Sequence, residues 1–325
     1  MMRFYCADGR CLSLDIGAAA DALTDAVVWI DMVEPTHDED RMMERLLGIS
    51  IPTRDELKDI EPSSRLYVEE GATFMTASLV AKADSEVPHL TDVGFILAGG
   101  RLVTVRYAAP KAFSLFIGAM HRIPGGCPSG LVLLTRLMET IVDRTAEILE
   151  QLVGRVDALS LQVFGEGAAG KRRPPRYLES RLLTVAGHHR LVAMTRDSLA
   201  SLSRLMTFLY ALPPARDDRE TRELCRSISR DIQSLSEHAS FISGNITFLL
   251  DASLGLINIE QNTIIKIFSI ASVVFLPPTL VASAYGMNFA HMPELQWTYG
   301  YPLAIAAMVV SAAIPYVFFR WKGWL

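Results

Sequence analysis

The sequence predicts an α+β soluble domain, extended by long helices and ending in a two-helix hairpin that crosses a membrane. Three observations predict this. β-rich runs alternate with polar helical stretches over residues 1–128, and apolar residues then recur at helical spacing over segments of unusual length. Two apolar runs with a single charge between them occupy residues 264–284 and 302–319.

Bulk composition agrees with a mixed chain. Of 325 residues, 50% are hydrophobic and the mean hydropathy is +0.26, apolar for a soluble protein but too polar for one threaded end to end through a bilayer. A net charge of −5 and a pI near 5.8 give no reason to expect a nucleic-acid partner. Cys6, Cys11, Cys127 and Cys225 have no metal-ligand spacing and read as free thiols of a reducing compartment. The opening residues, Met1 to Ile16, carry Arg3, Asp8 and Arg10 and do not form a signal peptide, so the soluble part is expected in the cytoplasm.

Within residues 1–128, Val27–Ile30, Leu66–Val68, Val93–Leu97 and Leu102–Arg106 read as strands, and His37–Leu47 and Asp55–Ile60 as helical. Gly99-Gly100 between two β-rich runs predicts a two-residue hairpin turn. Residues 129–215 hold a helical pair, Gly130 to about Phe164 and Tyr177 to Leu212, joined by the connector GEGAAGKRRPP. Its Lys171-Arg172-Arg173 run reads as a solvated loop, with weak attraction to the inner leaflet as the alternative. Pro213-Pro214 breaks the second helix. A stalk helix over 216–263 then continues into the first span, giving one helix of roughly 100 Å.

The first span, 264–284, carries Lys266 near its start, and Arg320 and Lys322 follow the second span in the tail 320–325. The loop 285–301 has no Lys or Arg and one acid, Glu294, so the positive-inside rule puts both termini in the cytoplasm and the loop outside.

Steps of four and three along the long helix define one seam: Asp251, Gly255, Asn258, Asn262, Ile265, Ser269, Ser272, Leu276, Thr279 and Ser283. Most of these are small or polar, whereas Ile264, Ile267, Phe268, Val273 and Phe275 beside them are not. Such a stripe either packs against another helix through small residues or lines a water-filled path. Helix packing competes fairly for the serines but handles Asp251, Asn258 and Asn262 less well. One helix cannot enclose a channel, so a lined path requires a ring of identical subunits.

At the outer end of this helix stands Tyr285-Gly286-Met287-Asn288-Phe289, followed by Met292-Pro293-Glu294-Leu295, Gly300-Tyr301-Pro302 and the terminal Lys322-Gly323-Trp324-Leu325. Over roughly Asn245 to Leu325 this resembles the CorA family of magnesium transporters. The resemblance implies a homopentamer in the bacterial inner membrane, with a cytoplasmic funnel domain, long stalk helices and a first span that lines the pore. It implies that Gly286, Met287 and Asn288 form the pore mouth, with the Asn288 amides holding a hydrated cation. It likewise implies that Thr279, Leu276, Ile265, Asn262 and Asp251 face the pore. Glu294 either concentrates cations outside or caps the neighbouring loop.

The cargo so implied is Mg²⁺, with Co²⁺ and Ni²⁺ as further ions and with cytoplasmic Mg²⁺ bound to carboxylates as a regulatory ligand. Asp231 and Glu237 are the stalk candidates for that ligand, although Arg226 and Arg230 stand nearby. A Zn²⁺ transporter of the same superfamily is the alternative. No phosphate-binding loop accompanies the spans, so transport is expected to be passive. No nucleophile–base constellation suggests an enzyme, and a membrane-anchored sensor would not need the polar stripe.

Overall fold

The structure, a computed structural model, describes residues 1–12, 26–59, 61–85, 87–123, 125–168, 177–287 and 292–324. It divides into two compact units, Met1–Leu250 and Asp251–Leu325. The division falls inside the segment 216–263 that the sequence reads as one stalk.

The first unit is built on a seven-stranded sheet: β1 (Met2–Cys6), β2 (Cys11–Leu12), β3 (Val27–Val33), β4 (Leu66–Glu69), β5 (Ala72–Ala81), β6 (His89–Ala98) and β7 (Arg101–Arg106), in the order β2-β1-β3-β7-β6-β5-β4. All neighbours are antiparallel except β3 and β7, which run parallel with Asp31 beside Thr104. Gly99 and Gly100, with φ of +55° and +82°, close the β6–β7 hairpin, the backbone that a tight two-residue turn requires. The expected helix over Asp55–Ile60 is a correction. Only a 3-10 turn, Glu56–Lys58, forms there, opened by a Thr53/Glu56 cap like that of α1 and ended where Asp59 leaves the helical region at ψ 134°, and Ile60 is outside the described residues.

On one sheet face lies α1 (His37–Leu47), opened by a Thr36/Glu39 capping box, with Met43 packed onto Ile30, Met32, Phe74 and Val105. The other face carries α3 (Lys111–Ala119), α4 (Gly130–Ala168) and α5 (Tyr177–Ala211), buried against Trp29, Phe95 and Leu102. (The short α2, Pro62–Arg65, precedes β4.) Helix α4 runs on to Ala168, so part of the expected connector is helical, while Lys171-Arg172-Arg173 lies outside the described residues.

After the short α6 (Pro213–Asp217) the chain forms α7 (Arg219–Tyr285), a single helix of 67 residues. Its part in the first unit lies parallel to α4: Arg136 reaches Glu220 at 3.4 Å and Phe164 meets Phe248 at 6.3 Å, both 84 positions apart.

The second unit holds the rest of α7, a 3-10 turn at Pro293–Gln296 and α8 (Gly300–Trp321). Each of these two helices has a window of mean hydropathy 2.0 and is long and apolar enough to cross a membrane. Pro277 and Pro278 lie inside α7 without ending it, as prolines can where neighbouring helices and hydroxyl side chains accommodate the freed carbonyls.

Candidate cation pathway

The span of α7 has two unlike sides. Ile270 is buried, and Ala271, Val274, Pro277, Pro278 and Val281 are half-buried, marking one stripe at helical spacing. The matching stripe on α8 is Ala304, Met308, Ser311, Ala312, Pro315 and the buried Phe319. These two stripes are the faces that the hairpin closes on. Most are small or ring-shaped side chains, which let two backbones approach in lipid.

All ten seam residues, from Asp251 to Ser283, are exposed, including the two bulky members Ile265 (60%) and Leu276 (72%). At ~100° per residue, the seam between Ser269 and Ser283 stands about 180° round α7 from the Ile270 stripe. Hence the polar side of the span is the side that the second span leaves uncovered. Exposure alone does not single out the seam, since Phe268, Phe275 and Leu280 are equally exposed. Its chemistry does, because a row of amides and hydroxyls facing hydrocarbon would be costly.

The hydroxyls are held in a definite way. Ser272 Oγ donates to the Phe268 carbonyl at 2.9 Å, and Thr279 Oγ1 to the Phe275 carbonyl at 2.8 Å. With their protons directed into their own helix, both oxygens present lone pairs outward. Such groups accept hydrogen bonds from the water around a cation and offer nothing to an anion.

At the outer end, Gly286 closes the helix, its amide donating to the Ala282 carbonyl at 2.9 Å. Gly286 has no left-handed φ, and a small residue suits the turn because a Cβ would come within 3.1 Å of the same carbonyl. Met287 is 49% exposed, so among the described residues little covers it. Asn288 lies outside the described residues, and Glu294 sits in the 3-10 turn with its side chain undescribed.

The two stalk carboxylates proposed for regulation do not converge within one chain. Asp231 and Glu237 are six positions apart, ~9 Å along the axis and on different faces, and Glu237 accepts from the Gln233 amide at 3.2 Å. Asp231 instead bears on Asp143 of α4, whose carboxyl is held above its usual range by burial and then by Glu139 and Asp231. The sequence offered no signal for this trio, which depends on the parallel register of α4 and α7. Among the described residues no three His, Cys, Asp or Glu side chains are grouped to hold a metal. Arg65 pairs with Asp92 at 2.7 Å.

The family model for the CorA-like Mg²⁺ transporter protein matches residues 24–321. A magnesium transport protein CorA from Yersinia pseudotuberculosis is 39% identical over 92% of this chain and 92% of its own. One from Salmonella typhimurium is 38% identical over 94% of each. Among solved structures, the complete CorA magnesium transporter of Methanocaldococcus jannaschii shares the fold with a TM-score of 0.75 at 21% identity, covering 100% of this chain and 98% of that one. The expected architecture of soluble α+β domain, long helices and C-terminal apolar pair is thereby borne out.

Proposed function

This chain belongs to the CorA-like Mg²⁺ transporter family, and from that premise we propose that it is a homopentameric, passive Mg²⁺ channel of the bacterial inner membrane. Both termini face the cytoplasm. The family is one of transporters, not enzymes.

One observation carries the reading from family to mechanism: the polar seam of α7 is exposed on the side opposite the stripe covered in the hairpin. Five copies around an axis turn that side inward, and α8 then faces lipid. Mg²⁺ loses its inner waters reluctantly, so a path that binds the hydration shell is easier to traverse than one that strips it. Asn288, with Gly286 and Met287, makes the outer ring of amide oxygens. Ser283, Thr279, Ser272 and Ser269 are the acceptor tiers below it. Leu276 and Ile265 are the apolar constrictions at which the path dewets and closes. Asn262, Asn258 and Asp251 receive the ion on the cytoplasmic side.

The membrane potential supplies the drive, about 4.6 kcal/mol per 100 mV for a divalent ion. Cytoplasmic Mg²⁺ closes the channel by binding the closed state better than the open one. Asp231 takes part in that binding, supported by its approach to the partly buried Asp143 of α4. Co²⁺ and Ni²⁺ share the path, because the lining recognises a hydrated divalent ion rather than a bare one.

The test is Mg²⁺ entry into proteoliposomes carrying the purified protein and a magnesium-sensitive dye, under an imposed inside-negative potential. The reading requires uptake that rises with the potential and needs no nucleotide. Absence of flux, or flux indifferent to the potential, overturns it.

A further inference from the structure

The last residues of the chain form a built feature that the pore does not use. Helix α8 ends in a Schellman turn: Gly323 adopts a left-handed φ of +69°, Trp324 N donates to the Phe319 carbonyl at 2.9 Å, and Gly323 N to the Arg320 carbonyl at 3.1 Å. The turn folds Trp324 back so that its ring stacks on Phe319 at 5.7 Å and 15°. The opposite end of the hairpin meets it there, with the Lys266 ammonium 6.0 Å from the Trp324 ring centroid. Lys322 lies 5.7 Å from the Trp321 ring, and Arg320 is exposed one position before. Among the described residues no carboxylate pairs with Lys266, Arg320 or Lys322. The Phe319–Trp324 stack is thus met by Lys266 from the other helix, and Arg320 and Lys322 stand within the same last turn of α8.

We propose that this platform is a binding site for the headgroup of an anionic phospholipid in the cytoplasmic leaflet. The observations select that occupant. Tryptophan rings settle at the boundary between headgroups and acyl chains, and the two apolar spans put Trp321 and Trp324 at that boundary. The phosphodiester of a lipid held there is at the depth of the three cations, and its acyl chains run along the exposed apolar side of α8 (Val317, Ile314, Val310). A soluble anion would gain the charge contacts but not that apolar surface. A basic residue near the membrane surface contributes ~1 kcal/mol toward anionic lipid, which is about fivefold in affinity. Lys266 is the residue that distinguishes a site from a basic tail, since it comes from the other helix and is fixed over the ring.

This inference rests on the two-span reading, and its test separates the two. The full chain with Trp297→Phe and Trp321→Phe keeps Trp324 as its one tryptophan in the hairpin; Trp29, buried in the soluble unit, gives a constant background. It is reconstituted in phosphatidylcholine vesicles doped with dibrominated phosphatidylglycerol or dibrominated phosphatidylcholine. The site requires brominated phosphatidylglycerol to quench Trp324 at a mole fraction lower than that of brominated phosphatidylcholine by at least the roughly fivefold that one basic residue supplies. Lys266→Gln should lower the preference about fivefold, and Arg320→Gln, which leaves the Lys266–Trp324 pair intact, should lower it by itself. Equal quenching by both lipids in the starting protein overturns the site while leaving the spans standing. Quenching by neither lipid overturns the two-span reading. Loss of the preference on adding inorganic phosphate at fixed ionic strength overturns the lipid as occupant in favour of a free anion.

Discussion

Arg106 grips Asp31 across the parallel β3–β7 pair with two hydrogen bonds, Nε to Oδ1 at 2.9 Å and Nη2 to Oδ2 at 2.8 Å, and the two side chains are 4% and 0% exposed. Asp31 Oδ1 also accepts from the Thr104 hydroxyl, which accepts in turn from the Trp29 indole at 3.0 Å. The guanidinium lies 4.6 Å from the Phe113 ring centroid. A fully satisfied ion pair is thus set in the centre of the sheet, where breaking it leaves a charge without a partner.

Asp31→Asn should therefore destabilise the protein by about 3–5 kcal/mol, the usual cost of stranding a buried charge. Replacing both members with apolar residues of similar volume should cost less than the single change. Urea unfolding of the full chain in detergent, followed by Trp29 fluorescence, reports on this network directly. A loss below about 1 kcal/mol for Asp31→Asn would show that water or a neighbouring group compensates Arg106.

Asn288→Ala addresses the outer ring. If five amides hold the hydrated ion at the mouth, losing them should slow potential-driven Mg²⁺ uptake by about tenfold or more, equivalent to ~1.4 kcal/mol. It should also change how strongly Co²⁺ and Zn²⁺ compete. Unchanged flux with unchanged competition removes Asn288 from the path.

Most of this architecture was legible because its signals are local. The span lengths, Gly99-Gly100 and the four-and-three seam are each readable within one segment. The strand β5 is not evident in the sequence because its three alanines and serine carry weak β-propensity, and it is fixed by nine-residue pairing with β6 rather than by its own composition. The helix expected over Asp55–Ile60 is cut short after one turn, because Asp59 leaves the helical region ahead of Pro62. On the site, periodicity gave the seam, while the facing stripe at Ile270 needed α8 in place. The approach of Asp231 to Asp143 could not be read at all, since it joins residues 88 positions apart through helix register.

Thr279→Val decides between the two readings of the seam. Valine keeps the shape and branching of threonine but removes the oxygen that Thr279 presents after donating to the Phe275 carbonyl. If the seam lines a wet path, Mg²⁺ flux should fall several-fold with the thermal midpoint unchanged. If the seam is a packing face, flux should hold and stability should rise or stay level. Paired flux and thermal-melt measurements on one preparation separate these outcomes.

Asp231→Asn tests the regulatory reading. Mg²⁺ that bridges Asp231 with carboxylates of its own or a neighbouring subunit stabilises the bound state by about 2.7 kcal/mol at a hundredfold excess over its dissociation constant. Millimolar Mg²⁺ should therefore raise the thermal midpoint of the wild-type protein more than that of the variant. It should also slow wild-type flux more than the variant's. Equal Mg²⁺ responses would place the regulatory ion elsewhere.

Asp84 provides the pH-dependent case. Its carboxylate accepts from Lys111 Nζ at 2.9 Å and from Arg144 Nη2 at 2.7 Å, and these two partners hold its pKa below the usual range. A carboxyl with a lowered folded-state pKa stabilises the fold above its unfolded value of ~3.9, and the contribution disappears as pH falls through the folded value. Asp84 is 44% exposed, so solvent screening keeps the effect modest; Arg144, at 6%, would keep Glu147 as its remaining partner. Asp84→Asn should thus lower the thermal midpoint at pH 7, by a margin that salt reduces. The gap between wild type and variant should narrow as pH is taken below about 4, because a protonated Asp84 resembles the amide that replaces it. A gap that stays constant from pH 7 to pH 3 would mean that Asp84 acts through packing rather than through its charge.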